Sequence, residues 1–165
     1  MPVIDFHWHM FARLLVAAAL GAVVGYEREH VGKPAGVRTH GMVALGSALF
    51  TVVSLYGFGG VGDPGRVAAQ VVVGIGFLGA GAILHQRGSV HGLTTAASLW
   101  VTAAIGLSAG VGMYVMSLET AILVFLLLRF GPQPRHDESR HAAESPAPQG
   151  DWPANLNNSR VSEFH

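Results

Sequence analysis

Apolar residues occur along this chain in five long, continuous runs, which short stretches rich in glycine, proline and charge separate. The runs cover about residues Phe11–Tyr26, Gly41–Phe58, Val67–Leu84, Thr95–Ala109 and Met113–Phe130. A helix crosses a bilayer core of ~30 Å in roughly 20 residues, and continuous rather than alternating runs disfavour a membrane β-barrel. The pattern predicts an all-α, polytopic membrane helix bundle with about five transmembrane helices. The first and fourth runs are short, so we expect those helices to extend into polar flanks or to thin the bilayer.

Capping residues mark the expected helix ends. Asp63 and Pro64 are typical of a helix start, because Asp accepts free backbone N–H groups and Pro fits the first turn. Thr94 and Thr95 are expected to cap the fourth helix in the same way. Gly110 and Gly112 predict a tight turn between the fourth and fifth helices.

The amino-acid composition supports a membrane protein. Of 165 residues, 50% are hydrophobic and 12% are charged, whereas soluble domains carry roughly 25% charged residues. Between Val67 and Phe130 the only charged residues are Arg87, Glu119 and Arg129. The net charge of zero gives no indication of a nucleic-acid partner, and the absence of cysteine excludes disulfides and thiolate metal sites.

The distribution of Lys and Arg predicts an orientation. With five spans, the first loop, the third loop and the C-terminal tail lie on one side of the membrane and hold eight of these residues. Only Arg13 and Arg66 lie on the other side. The positive-inside rule therefore predicts an outside N-terminus and a cytoplasmic C-terminus. We expect a transmembrane domain over residues 1–131 and a disordered polar tail over 132–165, which holds five of the eight prolines.

The run Gly74–Leu84 contains the pattern G-x-G-x-x-G, which in soluble proteins can bind a dinucleotide. That use requires a preceding strand and an acidic residue about 20 positions on. Here the glycines lie inside an apolar run, and no Asp or Glu occurs between Asp63 and Glu119. Glycines in a membrane helix instead allow a second helix to approach closely. We interpret the third helix as the packing centre of the bundle.

Small residues mark candidate helix-packing positions. They are Gly21 and Gly25 in the first helix, Gly106 and Gly110 in the fourth, and Gly74, Gly76, Gly79 and Gly81 in the third. The favoured interpretation is packing within one bundle. A homo-oligomer or a ligand-lining groove are the alternatives.

Five polar residues are expected at similar depth in the outer half of the membrane: Arg13, Asp63, Arg66, Gln70 and Glu119. Ionisable groups at that depth are costly and usually paired. Asp63 and Glu119 are candidate ligands for a hard cation such as Mg²⁺, which prefers oxygen. Two arginines would neutralise two carboxylates and leave no surplus charge for a divalent ion, so we favour structural ion pairs and expect no metal site.

The first inner loop carries a dense polar sequence: Glu27, Arg28, Lys33, Arg38, Thr39 and His40. It is interpreted as a solvated, positive loop, with a docking face for a protein or for anionic lipid as the alternative. The chain has no G-x-S-x-G, H-E-x-x-H or P-loop sequence. We therefore expect neither enzymatic activity nor a cofactor.

Several of these stretches together resemble the MgtC/SapB family of membrane proteins. The resemblance rests on the following residues: Glu27–Glu29, Lys33–His40, Gly46–Phe50, Asp63–Val71, Gly74–Leu84 and Gly88–Trp100. It covers roughly residues 10–130. Many members also carry a cytoplasmic C-terminal domain of the ACT type, where this chain has a short polar tail.

The resemblance implies a multi-pass protein of the bacterial inner membrane, linked to adaptation to low magnesium and, in pathogens, to survival inside host cells. It leaves two hypotheses for function. The first is a non-enzymatic regulator that contacts other membrane proteins, including ATPases, within the lipid bilayer. The second is a transporter or channel for Mg²⁺ or another cation.

Overall fold

A computed structural model describes residues 3–58, 63, 65–86 and 89–131 of the chain. This part contains α1 (Val3–His30), α2 (Val37–Tyr56), α3 (Gly65–Gly81), β1 (Leu84–Gln86), β2 (Ser89–His91), α4 (Leu93–Val111) and α5 (Tyr114–Phe130). The prediction of an all-α bundle with about five helices is confirmed. The polar tail over 132–165 and Arg87 lie outside the described residues, and the orientation in the membrane stays a prediction.

Three of the helices are long and apolar enough to cross a membrane. They are α2, α4 and the part of α1 from Phe6 to His30. The helices α3 and α5 have 17 residues each, at the lower limit of about 17–25 residues for a span. As expected for the first and fourth runs, α1 and α4 extend beyond their apolar sequences. A continued helix satisfies its backbone hydrogen bonds internally, which hydrocarbon requires.

A short β-hairpin separates α3 from α4, where the apolar pattern predicted that the third helix would continue to Leu84. The strands are antiparallel, with Leu84 opposite His91. The helix ends earlier because its last turn tightens: the N–H of Ala82 lies 3.2 Å from the Leu78 carbonyl oxygen and 3.1 Å from that of Gly79. Three-residue strands lack the length that makes a periodic pattern visible in the sequence.

The start of α4 differs from the expected threonine cap. Its N-cap residue is Gly92, whose backbone has a φ of 87°. No side-chain hydrogen bond caps the helix at this residue. A β-carbon at Gly92 would collide with the Ala82 carbonyl oxygen. Thr94 and Thr95 both lie inside the helix. Glycine is therefore required at this helix entry by its positive φ and by the close approach of the preceding chain.

The core of the bundle lies between α1, α2 and α4, and α4 packs against all four other helices. One cluster of its buried hydrophobic residues consists only of alanines: Ala17, Ala44, Ala48 and Ala109. A second buried cluster, Val24, Ile105 and Ala121, joins α1, α4 and α5. Small side chains let the helix backbones approach closely, which in a membrane supplies much of the association energy.

The glycine pairs of α1 and α4 both face α2. A β-carbon at Gly21 would lie 2.6 Å from the His40 carbonyl oxygen, and one at Gly25 would lie 2.6 Å from that of Gly36. A β-carbon at Gly106 would lie 2.8 Å from the Ser47 β-carbon, and one at Gly110 would lie 2.7 Å from the Thr51 β-carbon. These four glycines therefore set the spacing of the three core helices.

The structure corrects the placement of α3 at the packing centre, because α4 occupies that position. Within the run Gly74–Gly81 of α3, only Gly79 lies close to another helix. A β-carbon added to Gly79 would lie 3.6 Å from the β-carbon of Ala96 on α4. A β-carbon at Gly74, Gly76 or Gly81 would meet nothing within 4 Å. The glycine run of α3 is therefore a largely open surface of the bundle.

Candidate functional site

Arg13 lies within the N-terminal half of α1, beside the C-terminal turn of α4. Its Nη1 donates a hydrogen bond of 2.9 Å to the Gly110 carbonyl oxygen, and its guanidinium lies 5.4 Å from the ring centroid of Tyr56. The last carbonyls of a helix have no partner within the helix, and a cation there is favourable. Arg13 thus completes the end of α4 instead of neutralising a carboxylate.

Asp63, Arg66 and Gln70 lie together at the start of α3, where they line one side of a groove between α2 and α3. All three side chains are exposed. The Asp63 Oδ1 accepts a 2.8 Å hydrogen bond from the N–H of Gly65. The groove has a volume of about 1010 Å³ and continues between the apolar side chains of both helices.

Glu119 lies apart from this groove. It is exposed on α5, and α5 packs against α1 and α4, whereas Asp63 precedes α3. Within the described part of the chain, the only ion pair joins Glu27 to Arg28. The expected pairing of Asp63 and Glu119 with Arg66 and Arg13 is therefore wrong. Asp63 and Arg66, both among the described residues, line one groove without forming an ion pair. Arg13 contacts Gly110 and Tyr56, whereas Glu119 is exposed on α5.

The described residues also hold no group of three or more His, Cys, Asp or Glu side chains that could hold a metal ion. Asp63 and Glu119 do not converge on one point. Mg²⁺ binds through one or two carboxylates, with water or substrate oxygens completing its octahedron.

The first loop is less solvated than its sequence predicted. Glu27 and Arg28 are 4% and 2% exposed, although both are charged. The Glu29 Oε2 accepts a 3.0 Å hydrogen bond from the N–H of Val37 and so caps α2. Lys33 and Arg38 are exposed. Only part of the loop signature is thus available as a docking face, and the rest holds α1 and α2 together.

The buried pair is poorly satisfied. The Arg28 Nη1 lies 3.6 Å from the Glu27 Oε2, which is an ion pair but longer than a hydrogen bond. Within the described residues, both carboxylate oxygens of Glu27 and the Nε of Arg28 have no hydrogen-bond partner. Removing two charges from water is costly, so a buried ion pair adds little net stability. The stability of the bundle therefore does not account for this pair at the junction of α1 and α2.

A buried hydrogen-bond chain links α2 to α4 beside this pair. The His40 Nδ1 lies 3.1 Å from the Gly36 carbonyl oxygen, and its Nε2 lies 3.0 Å from the Ser98 Oγ. The Ser98 hydroxyl also donates to the Thr95 carbonyl oxygen at 2.8 Å, and the Thr102 hydroxyl donates to the Ser98 carbonyl oxygen at 2.8 Å. His40, Ser98 and Thr102 are fully or almost fully buried.

Sequence reasoning named His40 as part of the loop signature but missed its partners on α4. The signal was present in the spacing of Thr95, Ser98 and Thr102, which places three hydroxyls on one face of a helix. Hydroxyl side chains hydrogen-bond across membrane helices. Only the fold, however, shows which helix lies opposite that face.

Comparison with known proteins decides the family. The model of the "MgtC family" matches residues 14–135, which include nearly all of the helical bundle. The chain belongs to the MgtC family. It is a multi-pass membrane protein of the bacterial inner membrane, as its apolar helices and its family indicate.

Relatives of this MgtC family member occur in several bacteria. It is 49% identical over 123 residues to "Putative magnesium transporter YhiD" of Escherichia coli (strain K12), covering 70% of this chain and 57% of the relative. It is 44% identical over 123 residues to "Protein MgtC" of Salmonella typhimurium (strain LT2), covering 73% of this chain and 52% of the relative. The chain thus spans little more than half the length of these curated relatives. No solved structure matches it.

Proposed function

We propose that this MgtC family chain is a non-enzymatic regulator of other membrane proteins that supports bacterial growth when magnesium is scarce. The link to magnesium is supported by the family and by the name of the Escherichia coli relative. The arrangement of the charged residues supports the finer role, which is regulation and not transport.

The observation that carries the proposal is the separation of Asp63 from Glu119. A cation pathway through a helix bundle is typically lined by ionisable groups that face the bundle interior. Here Asp63 and Glu119 are exposed. The buried ionisable groups Glu27, Arg28 and His40 lie where α1 ends and α2 begins, and a cluster of alanines packs the core between α1, α2 and α4. This arrangement favours a protein that acts through its surface.

The surface that supports partner binding is the outward side of α3. Val73 and Phe77 are 70% and 83% exposed, and Gly76 between them leaves the helix backbone accessible. A flat, small-residue surface between bulky side chains suits a second membrane helix. The partner proposed is another membrane protein, such as an ATPase, or a second copy of this chain.

Magnesium flux into liposomes that contain the purified chain tests the two roles. A regulator produces no flux above protein-free liposomes, and Asp63→Asn and Glu119→Gln variants support growth in low magnesium as well as the parent chain does. Flux that either substitution abolishes would establish transport and overturn the regulatory role.

The surface itself is tested with matched phenylalanines. Phe77 on α3 and Phe130 on α5 are 83% and 77% exposed, so neither truncation opens a cavity within the bundle. Phe77→Ala is expected to lose growth support in low magnesium and crosslinking to its membrane partner, and Phe130→Ala to keep both. Equal behaviour of the two variants would remove α3 as the contact surface.

The second candidate, a transporter or channel for Mg²⁺ or another cation, is favoured by one observation. Asp63 and Gln70 place carboxylate and amide oxygens in an open groove, and oxygen ligands suit a hard cation. The charge of Arg66 in the same groove opposes that role. The flux experiment above decides between the candidates.

A further inference from the structure

The groove between α2 and α3 has two different ends. Where α2 leads towards α3, it is lined by Phe58 and by the polar side chains of Asp63, Arg66 and Gln70. The rest of its wall is mainly apolar and includes Phe50 and Leu55 from α2 and Val67, Val71 and Leu78 from α3. The groove is therefore amphipathic along its length.

The polar end holds one negative and one positive group that do not neutralise each other. Arg66 and Gln70 lie four positions apart on α3, which places their side chains on one face of the helix. Asp63 precedes the helix and lines the same groove. In the described part of the chain, no ion pair joins Asp63 to Arg66. Asp63 uses its Oδ1 to accept the Gly65 N–H, which leaves the Oδ2 available to a ligand.

Two glycines keep the apolar part of the groove open. Gly46 on α2 and Gly74 on α3 both line it, and a β-carbon at either position would meet nothing within 4 Å. The volume of about 1010 Å³ lies at the upper end of roughly 300–1,000 Å³ for ligand sites. A large, elongated amphiphile is the class of molecule that fits.

We propose that this groove binds one zwitterionic glycerophospholipid, with its phosphate at Arg66 and Gln70 and its ammonium group at Asp63. The acyl chains lie along the apolar walls past Gly46 and Gly74. Arginine and amide groups donate hydrogen bonds to phosphate, and a carboxylate accepts them from an ammonium group. This inference does not depend on whether the chain regulates or transports.

The charge pattern selects this occupant over others. A lipid with an anionic headgroup and no ammonium group satisfies Arg66 but brings negative charge close to Asp63. An apolar helix from a second copy leaves Asp63 and Arg66 desolvated without partners, which is costly. A headgroup with both charges satisfies both residues at once.

Native mass spectrometry of the full chain, delipidated in detergent and given equal amounts of phosphatidylethanolamine and phosphatidylglycerol, tests the proposal. We expect one phosphatidylethanolamine per chain and a preference of about tenfold over phosphatidylglycerol, the ratio that corresponds to one charge-assisted contact. Asp63→Asn should abolish the preference, and Arg66→Gln should weaken retention of both lipids by about tenfold. Equal retention of the two lipids by the parent chain would overturn the proposal.

A matched glycine pair tests the position of the acyl chains. Gly74 lines the groove and Gly76 does not, yet a β-carbon at either position meets nothing within 4 Å, so both leucine variants are expected to fold. Gly74→Leu should lower phosphatidylethanolamine retention several-fold, while Gly76→Leu should leave it unchanged. If Gly74→Leu instead dissociates a dimer that retains no lipid, a second copy occupies the groove and the proposal fails.

Discussion

Arg13 and Gly110, which lie 97 positions apart in the chain, are joined by a 2.9 Å hydrogen bond from the guanidinium to the carbonyl oxygen. This contact connects α1 to the last turn of α4 and places the cation at the negative end of a helix. The position of Arg13 also brings it over the ring of Tyr56 at the end of α2. One side chain of α1 therefore contacts the C-terminal ends of both α2 and α4.

The first prediction concerns the partner of Arg13. Arg13→Ala is expected to destabilise the bundle by about 1.5–3 kcal/mol, because it removes a charged hydrogen bond and leaves the Gly110 carbonyl unsatisfied. Glu119→Gln should change stability by less than about 0.5 kcal/mol, since this exposed side chain forms no ion pair within the described residues. Thermal unfolding in detergent measures both. Equal destabilisation by the two substitutions would instead indicate that Arg13 and Glu119 form an ion pair.

The second prediction concerns the glycines of α1 and α4. Gly21→Ala and Gly110→Ala each place a β-carbon about 2.6–2.7 Å from atoms of α2. Overpacking of this kind costs about 1–3 kcal/mol, and we expect a lower unfolding temperature for both variants. Gly76→Ala is the control, because its added methyl group meets no neighbour and alanine favours a helix. Greater loss from the Gly76 variant would contradict the core described above.

The third prediction concerns the link between His40 and Ser98. The Gly36 carbonyl can only accept, so a neutral His40 ring carries its proton on Nδ1. Its Nε2 and the Thr95 carbonyl oxygen are then both acceptors that lie within reach of the single Ser98 hydroxyl proton. His40→Ala, Ser98→Ala and the double variant form a thermodynamic cycle. We expect a coupling energy of about 0.5–1.5 kcal/mol from unfolding measurements. Strictly additive effects would show that the two side chains do not support each other.

The fourth prediction concerns the entry into α4. Gly92→Ala should destabilise the chain strongly, because alanine disfavours a φ of 87° and its β-carbon collides with the Ala82 carbonyl. Thr94→Ala removes an exposed side chain from inside the helix and should change stability by less than about 0.5 kcal/mol. Detergent-solubilised fluorescence size-exclusion after heating separates the variants. The reverse order would assign the cap to the threonine.

Continuous apolar runs were sufficient to predict five helices, because a chain in hydrocarbon must satisfy its backbone hydrogen bonds within each helix. Motifs such as Lys33–His40 and Gly74–Leu84 were sufficient to indicate the family, which the matched residues 14–135 confirm. Both properties are local, so the order of residues along the chain specifies them.

Tertiary structure alone decided which helix is central and which charged residues meet. The Gly74–Gly81 run and the Gly106–Gly110 pair look alike in sequence, yet only the second packs closely against α2. Similar predicted depth likewise did not determine the partners of Arg13 and Asp63, because depth leaves the rotation and neighbours of each helix open. The sequence by itself determined the helices and the family, and the side-by-side packing of those helices decided the core, the groove and the buried polar contacts.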